Sequence, residues 1–157
     1  MKSLAPNDAV DQKMVSIYRD AFTSLNRNKK RELGESPHKP ILLLTVIDAI
    51  ESGRLRSNDI KPSEAFYGSY KDQWANLRVN PQWQINMVYP FWHLAHDGFW
   101  HLNYNGNVVG VNDVERPKSL KALRLVIDSA VLDDPLWTLL QNSQTRSELS
   151  AVLRRVI

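Results

Sequence analysis

Residues 36–52 read SPHKPILLLTVIDAIES, and the helix they predict decides how the rest of the chain must pack. Ser36 suits an N-cap, Pro37 the first helical position, and Gly53 the residue just past the last turn. Pro40 still falls in the first turn, where its missing N–H costs little. Between Ile41 and Ile50 only Thr45 and Asp48 are polar, so the segment is apolar on nearly every side. A helix of that kind is expected at the centre of a core, buried by its neighbours.

Working outward, residues 8–25 place Val10, Met14, Ile17, Tyr18, Ala21, Phe22 and Leu25 near one face of a helix. Ser63 can cap another helix running to about Leu77, with Phe66, Tyr70, Trp74 and Leu77 along one stripe before Asn80-Pro81 breaks it. Residues 91–104, FWHLAHDGFWHLNY, carry Asp97-Gly98 as a tight-turn pair and predict a β-hairpin. A further helix is expected over 119–132, a short one from Asp134-Pro135, and a last one opened by a Thr145/Glu148 capping box. The fold class is therefore α+β and mostly helical. We expect one domain over 1–157, with a central buried helix and a small β-hairpin. The last helix pattern still runs at Ile157, so the expectation includes excision from a longer chain.

Composition narrows the function classes. Five Trp, five Tyr and four Phe supply bulky core material, which argues against disorder. With no cysteine, disulfide and thiol chemistry are excluded. No apolar run is long enough to span a bilayer, and Asp8 and Asp11 interrupt any leader-like stretch. The expected location is the cytoplasm, away from membranes. The net charge of +3 permits a polyanionic partner without demanding one.

Several places could carry chemistry. His38 and Lys39 fall in the first turn of the central helix, at the positive end of its dipole, where cations are unfavourable unless an anion compensates. A phosphate is the natural anion there; alternatively, His38 caps a neighbouring loop and Lys39 is solvated. The VYPFW run, 88–92, builds either plain core or a rigid wall with Tyr89 and Pro90 at its rim. The basic run Arg27, Lys29, Lys30, Arg31 is either a solvated linker or a nucleic-acid contact. His93, His96, Asp97 and His101 are dense enough to raise a metal site, but a hairpin register sends His93 and His101 to opposite faces. No metal or other cofactor is expected. No nucleophile elbow or glycine-rich phosphate loop appears, so no catalytic residue is assigned.

Taken together, SPHKPILLLTVIDAI and YPFWHLAHDGFWHL, about fifty residues apart on the scale of one domain, resemble the sulfur-binding domain of McrA-type, phosphorothioate-dependent type IV restriction endonucleases. The resemblance extends more loosely to LDDPLW at 132–137 and TRSELSAVL at 145–153, and covers most of 12–157. It implies binding to double-stranded DNA in which sulfur replaces a non-bridging phosphate oxygen, as part of a restriction system. In full-length members of the family a separate HNH nuclease domain does the cutting. No such motif is found in these residues, so this chain is expected to be no enzyme, and the resemblance leaves open both a standalone reader and a piece of a nuclease. Pairing into a homodimer through the terminal helices is also compatible.

Carried over by position, the resemblance implies a sulfur cavity made by Tyr89, Pro90, His93, His38 and Lys39. Beside it, the basic run Arg27, Lys29, Lys30, Arg31 is a candidate for contacts to the duplex backbone, the alternative being a solvated loop, and Arg116 and Lys118 are the candidates for a further basic residue after the hairpin. The chain departs from the family at two of these places: His93 stands where a small residue or arginine is usual, and Lys39 where arginine would offer a bidentate fork. Three other readings compete. One is a general duplex-DNA-binding module without sulfur discrimination. Another is a protein-interaction domain using its aromatic surface. The third is a metal-dependent enzyme built on Asp48, Glu51, His96 and His101.

Overall fold

The computed structural model describes residues 9–106 and 115–157; Asp8, the expected start of the first helix, lies outside them. The elements run α1 (Ala9–Thr23), β1 (Lys29–Lys30), β2 (Gly34–Glu35), α2 (His38–Glu51), α3 (Glu64–Leu77) and α4 (Val88–His93). A 3-10 turn (Leu94–Asp97) follows, then β3 (Trp100–Tyr104), α5 (Leu120–Val126), β4 (Ile127–Leu132), α6 (Asp134–Leu139) and α7 (Ser143–Arg155). Helices dominate the described residues, with two small antiparallel sheets, β1–β2 and β3–β4. None of the described helices is long and apolar enough to cross a membrane.

The central helix is where its apolarity demands. Every residue of α2 except Asp48 and Glu51 is buried, packed by α3, α4 and α7. Its lone interior hydroxyl, Thr45, is satisfied by donating to Ile41 O at 2.8 Å, as a buried polar group requires. Asp48 pairs with Arg54 at 2.8 Å and Glu51 with Arg146, so the polar edge of the helix is also tied down. Gly53 takes φ +77° and closes the C-terminus by donating to Ile50 O, a left-handed cap that glycine alone adopts without strain. At the other end Pro37, not Ser36, occupies the cap position, and Ser36 Oγ turns to His38 instead.

The small hairpin exists, but at 29–35 rather than 91–104. The Asp97-Gly98 turn signal is real, since Gly98 sits at φ +91°. Upstream of it, however, Pro90 falls in the first turn of α4 and the chain stays helical through His93. Asn86 Oδ1 accepts from Tyr89 N at 3.0 Å and anchors that turn. Downstream, β3 pairs not with its own upstream neighbour but with β4, Trp100 opposite Leu132 and His101 opposite Val131. The hairpin register over 91–104, which set His93 and His101 on opposite faces of one ribbon, is thereby overturned.

The expected helix over 119–132 likewise ends at Val126. Its second half, with β-branched Ile127 and Val131, is a strand whose both edges are used: β3 on one side, and on the other Ile60, which exchanges two 2.8 Å bonds with Ala130. Ladder pairing on two sides outweighs local helical preference. Asp133 caps α6 without a side-chain bond; its carboxylate accepts from Tyr18 at 2.9 Å and contacts His101 at 2.6 Å. For α7 the cap is Asn142, which accepts from Thr145 N, while Glu148 pairs with Arg19 rather than completing a capping box.

Candidate nucleic-acid interface

Two segments far apart in sequence meet at one corner of the molecule: the start of α2 and the start of α4. Tyr89 is half-buried, with its ring 4.6 Å from that of His93 one helical turn on; His93 in turn stands 5.4 Å from His96. The spacing of four residues on α4 puts Tyr89 and His93 on one face. With Asn26, Arg27, Asn28, Lys39 and His96 they border an open depression of about 230 Å³. Pro90 is buried in α4. Of the residues expected in the cavity, Tyr89, His93 and Lys39 thus meet here. Closeness in sequence already groups His96 with His93, but nothing local points to Asn26 or Asn28 as their neighbours; only packing brings the 26–28 loop across.

Lys39 is buried, and its ammonium forms an ion pair with Asp97 at 2.6 Å while also donating to Asn26 O. Asp97 Oδ1 accepts from Asn26 N at 2.7 Å. One lysine and one aspartate therefore clamp both backbone groups of Asn26 and hold the loop against the depression. A buried charge is tolerated only with such partners.

His38 is buried at the foot of the same corner and both of its ring nitrogens are engaged. Nε2 donates to Gln84 O at 2.7 Å, so Nδ1 is the acceptor for Ser36 Oγ at 2.5 Å. The ring packs against Trp74, Trp83 and Tyr89. Burial lowers its pKa, the Gln84 carbonyl partly offsets this, and nearby Lys30 lowers it further. The lowered pKa and the two ring contacts fit a neutral imidazole that caps the 82–86 loop. Because the unfolded histidine titrates near 6.5 and the folded one lower, the unfolded chain binds more protons just below pH 6.5. The stability contributed by neutral His38 is thus complete above 6.5 and is lost as pH falls through that window. Thermal melts should show Tm dropping from pH 7 towards pH 5, with the slope reduced in His38→Gln.

The cations divide by direction. Arg27 turns inward, pairing with Glu35 and donating to Val156 O at 2.7 Å and Ser36 O at 3.3 Å. Lys29, Lys30 and Arg31 are exposed, and Lys30 lies 5.1 Å above the Trp83 ring. Arg116 and Lys118 are exposed too, and Arg116 is near enough to act on the depression. Burial raises the Tyr89 pKa, with the Arg116 charge opposing it, and burial lowers the His93 pKa, with the His96 and then the Arg116 charge adding to it. His101 lies with Asp133, away from this corner. Among the described residues no group of three or more His, Cys, Asp or Glu gathers to hold a metal.

A family model described as the ScoMcrA-like DNA sulfur-binding domain matches residues 18–156. Two solved structures share the fold. One is the sulfur-binding domain of ScoMcrA complexed with phosphorothioated DNA, 19% identical over 87% of this chain and 84% of that one, with a TM-score of 0.62. The other holds the sulfur-binding and SRA domains of ScoMcrA with phosphorothioated DNA, also 19% identical, with a TM-score of 0.61; it covers 85% of this chain but only 40% of its own. No curated protein matches. Since the match takes in both marker segments and the whole border of the depression, the chain belongs to the ScoMcrA-like DNA sulfur-binding domain family.

Proposed function

We propose that this chain binds double-stranded DNA at a phosphorothioate linkage, working as one unit over its length, and seats the sulfur in the depression between Tyr89 and His93. The observation that carries the reading is the union of two features at one corner. A half-buried aromatic wall lies beside two exposed cations, Lys30 and Arg116, while the buried Lys39 is already neutralised by Asp97.

Sulfur is larger, more polarizable and less strongly hydrated than oxygen. An aromatic wall removes water at little cost from sulfur and at greater cost from a phosphate oxygen, which would lose hydrogen bonds without replacement. Discrimination then arises from a penalty on the wrong ligand as much as from attraction to the right one. Affinity comes from elsewhere: Lys29, Lys30, Arg31, Arg116 and Lys118 meet flanking phosphates. Arg27, Lys39 and His38 act by holding the walls in place. In the full-length protein, cleavage belongs to a linked HNH nuclease domain.

A gel-shift titration with matched duplexes tests this. One duplex carries a single phosphorothioate of defined stereochemistry, the other an ordinary linkage, over several core sequences. Selective retardation of the sulfur-bearing duplex is expected; equal binding would reduce the chain to a general DNA-binding module. The division of the cations has its own readout. Replacing Lys29, Lys30 or Arg31 by Gln should weaken all duplexes alike and take about 0.9 off the salt slope for each phosphate no longer neutralised. Arg27→Met should leave that slope unchanged and lower the melting temperature instead.

A further inference from the structure

A second, larger depression of about 360 Å³ adjoins the first and shares Asn28 and Tyr89 with it. Its border is unusual in composition. Four side-chain amides, Asn28, Gln82, Gln84 and Asn86, surround Trp83, and no carboxylate takes part. Gln82 and Gln84 are exposed. Their backbones are used, Gln82 N donating to Asn80 Oδ1 and Gln84 O accepting from His38 Nε2. Among the described residues, no hydrogen bond ties down either side-chain amide.

The loop that carries them is nevertheless rigidly placed. His38 grips Gln84 O, Tyr70 OH donates to Asn86 O at 3.0 Å, and Trp83 is buried. A firmly seated backbone presenting free amides is a poor phosphate site, because an amide adds no charge, and Lys30 alone supplies a cation there. It is a good site for base edges. A primary amide offers one donor and one acceptor side by side, the complement of the adenine N6 and N7 pair in the major groove.

We propose that the 82–86 loop reads the base pairs flanking the modified linkage, with Gln82 and Gln84 as the specificity-determining residues and adenine as the favoured base. This rests on the phosphorothioate reading above, since the linkage seated at Tyr89 fixes which bases lie against the loop. Asn86 is committed through its Oδ1 to the backbone of Tyr89 and acts as a positioning residue that links the two depressions.

The test is a panel of phosphorothioate duplexes in which each flanking base pair is varied in turn, titrated with the wild-type chain, Gln82→Ala, Gln84→Ala and Tyr89→Ala. In the wild type, adenine at the read position should be preferred by about 5- to 150-fold, the range a good bidentate base contact provides. Gln82→Ala or Gln84→Ala should flatten that preference while the ratio of modified to unmodified binding persists. Uniform weakening across the panel, or an unchanged preference, would overturn the assignment of the loop. Equal affinity for modified and unmodified duplexes would instead overturn the sulfur reading, and the flanking-base preference could still be scored. Binding to no duplex would sink both.

Discussion

Lys39→Met is expected to lower the stability of the folded chain by about 3–5 kcal/mol, the cost of leaving one member of a buried ion pair without its partner. The lysine and Asp97 side chains are only 4% and 3% exposed, so water cannot take the place of the missing ammonium. In a chain of this size the effect should appear as a fall of about 6–20 °C in Tm. Lys39→Met with Asp97→Leu should recover much of it, because two apolar groups of similar volume need no solvation. The double variant should also bind less selectively, since Asn26 is left without the partners of both its backbone groups. If Lys39→Met melted like the wild type, Lys39 would not be clamping the loop, and a direct phosphate contact would be its better assignment.

Tyr89→Ala is expected to abolish most of the preference for sulfur over oxygen, by about 30-fold, the factor that ~2 kcal/mol at a central aromatic contact represents. The weakening should fall almost wholly on the modified duplex, leaving the salt slope near its wild-type value because no charge is removed. Tyr89→Phe keeps the wall and should retain most of the discrimination. Should Tyr89→Phe discriminate as poorly as Tyr89→Ala, the phenol hydroxyl rather than the ring face would be the discriminating group. The measurement is the ratio of dissociation constants for the two matched duplexes, taken at one salt concentration.

Much of the helical frame could be read directly. The body of the central helix, the Ser63-capped α3 and the start of α6 lie where periodicity, caps and prolines put them, the cap of α2 alone falling on Pro37 instead of Ser36. Each depends on groups within a few residues of one another. The errors share a different cause. A strong Asp-Gly turn signal says that the chain turns, not what flanks the turn, so it favours a strand over 91–93 where Pro90 has in fact opened a helix. The segment 127–132 has the composition of either element, and Ile60 and β3, both distant in sequence, settle it.

The candidate site shows the same split. Tyr89 and His93 are four residues apart, so helical geometry alone aligns them. The partner of Lys39 is Asp97, 58 residues away, and the partner of His38 is the carbonyl of Gln84, 46 residues away; no local rule reaches so far. By itself the sequence determined a buried helix that nothing but a core could accommodate, and the two segments that mark the family. The tertiary structure alone decided that His38 and Lys39 turn inward to hold loops, because a buried cation or imidazole takes whichever acceptor packing brings within reach. It also left the exposed cations and the free amides of 82–84 facing outward.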